Sequence, residues 1–252
     1  MSGSARRGSC CQDRSVGTNF LIPARIFDTA TVEMMDRPQP LSAELLRDLR
    51  NLRQLNRYFG SYRLIKSFLR RWFRPGISVT AIDLCTGFGD IPRFVIDWCR
   101  AHDVTARITA IDFQPATLEL AMEHSRSYPE ITFTVFDVLS FLPESQVDFV
   151  FCSLALHHFS DDAALRLLQH VPSMARKGIL VADLERTDFG ILGIYLLTSC
   201  AYREPMTCFD ARLSIRRAFS FSEMRQMAAR AGWERFGHRR FPVCRQAIWM
   251  ES

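Results

Sequence analysis

Hydrophobic residues first recur at helical spacing between residues 42 and 59. Leucines and aromatic residues lie three or four positions apart there, and arginines occupy the positions between them. Because an α-helix turns once every 3.6 residues, this pattern predicts an amphipathic helix with one buried face. Gly60 can stop or bend it, and residues 62–73 form a second helical run that Pro75 and Gly76 end.

From residue 77 onward, short apolar segments alternate with amphipathic ones. Strands that are apolar throughout are typical of a parallel sheet covered by helices on both faces. The sequence therefore predicts an α/β fold with a doubly wound sheet. After a first strand that runs into a glycine turn, the predicted elements are a helix at 94–100, a strand at 107–111, a helix at 115–124, strands at 132–136 and 147–152, a helix at 161–171 and a strand at 178–181.

The last fifty residues carry a second kind of signal. Ser220 and Glu223 have the spacing of a capping box, which predicts the start of a helix, and Gly232 would end it. Alternating residues at 233–238 and 243–250 predict two strands that form a closing hairpin. Residues 1–19 show no hydrophobic period and are interpreted as a flexible tail.

The longest uncharged run lies at residues 189–202. It is too short to span a bilayer, which takes about 20 residues. Its composition favours a buried helix, while an apolar lid for a lipophilic substrate is a second interpretation, and both can hold.

The glycine turn between Ala81 and Pro92 is the first candidate for chemistry. Gly87 and Gly89 allow close approach of backbone to a ligand, because glycine lacks a side chain and accepts positive φ. Pro92 stands where the dinucleotide fingerprint needs its third glycine, so that fingerprint fails. Asp83 and Asp90 flank the turn and disfavour pyrophosphate, and the turn suits a cationic ligand better.

This turn resembles the first motif of class I S-adenosylmethionine-dependent methyltransferases. Asp83, Gly87 and Gly89 are in register with that motif, and Cys85 occupies its first glycine position. Cysteine is tolerable there if the backbone is extended, whereas a left-handed turn at Cys85 would cost energy. The sulfonium and ammonium of S-adenosylmethionine fit an acidic loop.

The resemblance implies a Rossmann-like fold with a mostly parallel seven-stranded sheet and a C-terminal antiparallel hairpin. We expect a helical N-terminal cap at 20–76 and an S-adenosylmethionine-binding domain at 77–252. In such sheets, ligands bind beyond the carboxyl ends of the strands.

The resemblance also implies a set of residues that contact S-adenosylmethionine, or S-adenosylhomocysteine after transfer. Asp112 follows the second strand and would accept the ribose hydroxyls, with Phe113 on the adenine ring. Asp137 and Val138 correspond to the position that meets the adenine amino group, and Ser153 lies nearest the sulfur. The expected cofactor-binding residues are Asp83, Thr86, Gly87, Gly89, Asp112, Phe113, Asp137, Val138 and Ser153.

Two adjacent histidines follow the fourth strand. His157 and His158 lie in a segment that resembles the family's motif beside the methyl donor. An imidazole titrates near neutral pH, so either residue is a candidate catalytic base for a phenolic acceptor. The alternative is a histidine that bonds backbone at the start of a helix.

The acceptor is predicted to be a small hydrophobic aromatic or quinone molecule. The Asn/Asp-Pro-Pro-Tyr motif of nucleic-acid amino methyltransferases is absent, and the net charge of +5 is spread without a basic stripe, which argues against nucleic acid. Three short segments, at 35–38, 55–60 and 214–220, resemble a bacterial subgroup that tailors polyketides and quinones. The expected substrate-contacting residues are Asn56, Arg57, Tyr195 and Arg217.

Composition adds further expectations. The eight cysteines include no Cys-x-x-Cys pair and no signal peptide is recognised, so we expect a reduced, cytoplasmic protein without a metal. Oxygen or carbon methylation, a monomer or a homodimer, and peripheral membrane contact all stay open. The alternative functions are a non-catalytic S-adenosylmethionine-binding protein and, with less support, a nicotinamide-dependent oxidoreductase.

Overall fold

The computed structural model describes residues 23–251, so the predicted tail at 1–19 lies outside the described residues. Seven strands form one sheet in the order β3-β2-β1-β4-β5-β7-β6. β1 to β5 pair in parallel, while β7 runs antiparallel to both β5 and β6. The strands are β1 Ser78–Leu84, β2 Thr105–Asp112, β3 Ile131–Val135, β4 Val147–Ser153, β5 Ala175–Leu184, β6 Gly237–Phe241 and β7 Arg245–Glu251. This confirms the predicted mostly parallel seven-stranded sheet with its antiparallel end.

Eight helices surround the sheet within the described residues. Strand positions alternate between two cores: Phe149 and Phe151 pack on the face covered by α2 and α3, and Val150 and Cys152 pack on the face covered by α5 and α8. The helices are α1 Ala43–Tyr58, α2 Ser61–Trp72, α3 Asp90–Arg100, α4 Pro115–His124, α5 Asp161–His170, α6 Asp188–Cys200, α7 Pro205–Arg217 and α8 Phe221–Arg230.

The first two helices lie where the hydrophobic period predicted them. Ser42 caps α1 by accepting a hydrogen bond from the Leu45 amide at 3.0 Å. Gly60 adopts φ +94° between the helices, a conformation that costs glycine little. α1 packs with α4 and α7 through a third cluster that includes Leu45, Leu49 and Met206. The helical segment therefore covers one side of the sheet's carboxyl edge.

The hairpin prediction is wrong at its first strand. Residues 233–236 are not a strand: Trp233 is buried and its Nε1 donates to the Leu168 carbonyl at 2.7 Å. The strand begins at Gly237, where an added Cβ would meet the Trp249 ring at 2.1 Å. The capping box at Ser220 and Glu223 is present as predicted.

The prediction that residues 189–202 form a buried helix is only half right. The helix exists as α6, but Phe189 is 79% exposed and Leu192 58%. α6 packs mainly on α7, a helix that the sequence did not predict, at the margin of the fold. Its outer side has no covering element among the described residues. No helix within residues 23–251 is both long and apolar enough to cross a membrane.

Candidate functional site

A cavity of about 540 Å³ opens at the carboxyl edge of β1, β2, β4 and β5. Its volume lies in the range of small-molecule sites. Acidic groups from the turns after β1 and β2 line one side, and apolar side chains from α1, α6 and α7 line much of the other. The wall also contains residues that precede α1, so segments distant in sequence enclose a single space.

The turn after β1 brings most of the predicted cofactor residues together. Thr86 donates its hydroxyl to Asp83 at 2.6 Å, and both side chains are buried. Burial raises the pKa of Asp83 to about 7, against the opposing hydrogen bond from Thr86. Gly87 and Gly89 have φ of +52° and +68°. An added Cβ at Gly89 would meet the Phe133 ring at 3.0 Å, so the turn requires glycine there.

Cys85 adopts the left-handed conformation, with φ +57°. Of the two conformations that the sequence left open, the structure has the one that costs energy, about 1 kcal/mol for a non-glycine residue. Its thiol lies beside Cys152 at the end of β4, and this contact together with burial raises the pKa of the thiol. Cys85 lines the cavity.

Asp112 ends β2 and ties that strand to the glycine turn. Its carboxylate accepts hydrogen bonds from the backbone amides of Gly87 at 2.7 Å and Gln114 at 3.0 Å. Burial raises its pKa even so. Phe113, next in the chain, is 54% exposed and lines the cavity. The ends of β1 and β2 therefore form one acidic surface.

The remaining predicted cofactor residues complete that side of the cavity. Asp137 is exposed and Val138 is buried, and both follow β3. Ser153 ends β4 and lies half-buried on the wall. Eight of the nine residues predicted to contact the cofactor line this cavity, and the ninth, Gly89, lies in the turn behind it.

The two histidines lie on the cavity wall in a short 3-10 turn after β4. The His157 Nδ1 lies 2.6 Å from Asp183 Oδ1, and the His158 Nδ1 lies 2.6 Å from Asp36 Oδ2. A carboxylate only accepts, so each Nδ1 donates and each Nε2 points elsewhere. Burial lowers the pKa of His157 despite Asp183. For His158, the carboxylates of Glu33 and Asp36 outweigh burial and raise the pKa to about 10.

Glu33 faces both imidazoles and was missed by the sequence analysis. It is 2% exposed, lies 3.8 Å from the Nε2 of His157 and of His158, and accepts a 2.9 Å hydrogen bond from Ser214. Burial raises its pKa to about 8. Glu33, His157 and His158 each offer one potential ligand atom, and these three atoms lie within 4.8 Å of one another.

The segment that carries Glu33 and Asp36 is fastened by polar contacts. Asp210 of α7 accepts the backbone amides of Met34 and Met35 at 2.6 and 3.0 Å. The Gln114 amide donates to the Arg37 carbonyl at 2.9 Å. Asp36 stands in the segment at 35–38 that the subgroup resemblance singled out, so a signal was present without a role attached to it.

Of the four predicted substrate residues, only Asn56 lines the cavity. It donates to Asp90 Oδ2 at 3.1 Å. The structure does not bring the other three there. Arg57 is on the exposed side of α1, and Tyr195 of α6 lines a second cleft instead. Arg217 is buried, but it donates to the backbone carbonyls of Asp28 and Thr31.

Arg245, at the start of β7, is a cavity residue that the sequence analysis missed. It is 7% exposed and donates through Nε to Ser61 at 3.1 Å. No carboxylate within residues 23–251 forms an ion pair with it, whereas the buried Arg186 pairs with Glu223 at 2.7 Å. Burial lowers the pKa of Arg245 to about 10.

Comparisons with known proteins match part of this chain to methyltransferases. Residues 81–178 match the family described as "Methyltransferase domain". A curated relative, the 2-phytyl-1,4-naphtoquinone methyltransferase of Thermosynechococcus vestitus, is 32% identical over 89 residues, which are 34% of this chain. The chain spans 38% of the length of that relative.

Two solved structures show the extent of the shared fold. The plantazolicin methyltransferase BpumL in complex with SAH aligns with a TM-score of 0.61 at 16% identity, over 81% of this chain and 89% of the other. Human N-acetylserotonin methyltransferase in complex with SAM aligns with a TM-score of 0.58 at 18% identity, over 82% of this chain and 55% of the other. Residues 81–178 therefore match a methyltransferase domain, and the chain has the fold of these methyltransferase structures.

Proposed function

We propose that this protein transfers a methyl group from S-adenosylmethionine to an oxygen or carbon of a small hydrophobic acceptor, namely a phenol, quinone or polyketide. One observation carries the proposal: a single cavity joins the acidic glycine turn to the histidine–carboxylate cluster under apolar walls. The name of the naphthoquinone methyltransferase relative and the SAM and SAH bound to the structural neighbours support it.

On the donor side, Asp83 would face the positively charged methionine end, beside the Gly87 backbone. An ionised carboxylate favours both the ammonium and the sulfonium by Coulomb attraction. Asp112 would accept the ribose hydroxyls, exchanging part of its present bonding to the turn. Phe113, Asp137 and Val138 would enclose the adenine, and Ser153 would lie near the sulfur. Thr86 and Gly89 would shape the turn that holds the donor.

On the acceptor side, methyl transfer needs an in-line approach and an electron-rich nucleophile. The acceptor atom attacks the methyl carbon, the carbon–sulfur bond breaks, and its electron pair stays on sulfur to give S-adenosylhomocysteine. Positioning and exclusion of water supply much of the acceleration. In the cluster of Glu33, His157 and His158, the Nε2 of a neutral His157 would accept the proton of the acceptor hydroxyl, whose pKa near 10 leaves phenols protonated at neutral pH.

The same proposal covers the protein's setting. We place it in the cytoplasm, as a monomer or homodimer, with residues 20–76 as a cap over the domain at 77–252 and with no nucleic-acid partner. The exposed apolar side of α6 keeps peripheral contact with a membrane open.

Calorimetry with full-length protein tests the donor first. We expect binding of S-adenosylmethionine and S-adenosylhomocysteine and none of NAD. Binding of NAD alone would favour the oxidoreductase alternative. If neither S-adenosylmethionine nor S-adenosylhomocysteine binds, the proposal is refuted. A turnover assay with alkylphenols and naphthoquinols then separates the enzyme from a binding protein, since only the enzyme forms methylated product.

A further inference from the structure

The three side chains of the histidine cluster converge on one point. Neither Nε2 atom, nor Oε2 of Glu33, has a hydrogen-bond partner within residues 23–251, and each Nε2 lies 3.8 Å from a Glu33 oxygen. This separation is too long for a hydrogen bond. It is close to the spacing of two ligands that share a metal ion about 2.0–2.2 Å from each.

Each imidazole is also held as a metal ligand is held. Asp183 fixes the Nδ1 of His157 and Asp36 fixes that of His158, both at 2.6 Å. A carboxylate on the far nitrogen is the usual support of metal-binding histidines, since it fixes the ring orientation and strengthens the ligand. Two such supports on adjacent histidines, together with a buried carboxylate opposite, make a built site and not a chance grouping.

The charged groups around the two imidazoles also favour a bound cation. Four carboxylates, from Glu33, Asp36, Asp183 and Asp210, lie around the two imidazoles, and all four are buried or nearly so. Three arginines interact with this group. Arg217 and Arg25 donate to backbone carbonyls, and Arg25 also pairs with Asp161, whereas Arg245 forms no ion pair within residues 23–251. Carboxylates on several sides of the two imidazoles favour a cation between them, and a bound metal ion would displace the proton that these carboxylates hold on His158.

We propose that Glu33, His157 and His158 bind a divalent transition-metal ion on the cavity wall, with Asp36 and Asp183 as positioning residues. Two imidazoles and one carboxylate favour ions such as Zn²⁺, Mn²⁺ or Co²⁺ over Mg²⁺ and Ca²⁺. Three protein ligands leave a coordination position open, and the cavity lies on that side. The sequence predicted no metal because the ligands come from two segments without any local spacing signal.

The site also bears on the acceptor, a step that rests on the proposed function. An open position beside the methyl donor would take an oxygen of the acceptor and lower the pKa of its hydroxyl. Metal binding itself does not depend on that step, so the two are measured separately.

Metal binding by the full-length protein is the test. After dialysis against a chelator, we expect about one Zn²⁺ per chain in a competition titration with a colorimetric indicator, and visible absorption bands when Co²⁺ is added. Glu33→Gln and His158→Gln should each weaken Zn²⁺ binding at least about 10-fold. His124→Gln, whose ring bonds the Leu120 carbonyl outside the cavity, is the matched control and should bind like the wild type.

Three outcomes would overturn the proposal: less than about 0.1 Zn²⁺ bound per wild-type chain, binding that is unchanged in both variants, or equal weakening in His124→Gln. Asp36→Asn keeps all three ligands, so a 10-fold or larger loss there supports a positioning role even if the ligand variants fold poorly. S-adenosylhomocysteine binding by each protein reports folding and the donor site. If a protein binds Zn²⁺ but not S-adenosylhomocysteine, the result contradicts the proposed function and leaves the metal site intact.

Discussion

The two sides of the cavity are built in different ways. The proposed donor side consists of turns that directly follow β1 and β2, so Asp83, Gly87 and Asp112 lie within thirty residues, and the Gly87 amide donates to Asp112. The acceptor side joins groups that are remote in sequence: Asp36 and His158 are 122 residues apart. A local motif specifies the first side, whereas tertiary packing specifies the second.

The acceptor side should respond most in turnover. We expect His158→Gln to lower kcat at least about 100-fold, because it removes a group that acts on the acceptor hydroxyl, either as a positive charge that stabilises the phenolate or as a metal ligand. The affinity for S-adenosylhomocysteine should stay within about twofold, measured by calorimetry. His124→Gln serves as control. If His158→Gln lost as much affinity for S-adenosylhomocysteine as it lost in kcat, the donor and acceptor sides would not act separately.

The donor side should respond most in binding. Asp112→Ala removes a carboxylate that can make charge-assisted bonds to the ribose, so we expect S-adenosylmethionine affinity to fall about 100-fold. Asp137→Ala, at an exposed position, should cost less than about fivefold. Similar losses in the two variants would contradict the distinct role given to Asp112, and thermal unfolding checks that both fold.

Donor binding should also depend on pH. The pKa of Asp83 is raised from 3.8 to about 7 by burial, so the unliganded protein gives up stability as pH rises through that interval. A cationic ligand favours the ionised form, and affinity for S-adenosylmethionine should therefore fall as pH drops below 7. We expect about a tenfold loss from pH 8 to pH 6. In Asp83→Asn, affinity should be lower throughout and nearly flat with pH.

The smallest effect is expected at Cys85. Cys85→Gly relieves a left-handed residue but loses side-chain contacts and increases the entropy of the unfolded chain, so the free energy of unfolding should change by less than about 1 kcal/mol. Gly89→Ala should cost more, since its Cβ would press on the Phe133 ring. Urea unfolding measures both, and a larger change at Cys85 would mean that its contact with Cys152 matters more than its backbone.

The sequence predicted more of the proposed donor side than of the acceptor side, because the donor side is built from a local motif. Glycines at fixed spacing and acids at strand ends are local signals, and the parallel sheet brings successive strand ends to one edge. Nothing local shows that Glu33 meets two histidines, or that Arg245 faces the cavity. Arg217 was predicted to contact substrate because its motif was recognised, but its donors are used to hold the segment before Glu33.

That segment also shows how function is divided along the chain. Residues 81–178 match the domain family and contain the proposed donor site, His157 and His158. Glu33 and Asp36 precede this region, and Asp210 and Ser214, which hold their segment, follow it. A graft of the matched region onto another protein would carry the proposed donor site but only part of the proposed acceptor site. If the proposed sites are used, acceptor choice can change through Glu33, Asp36 and the residues that hold them while the donor turn stays the same, since those residues lie outside the matched region.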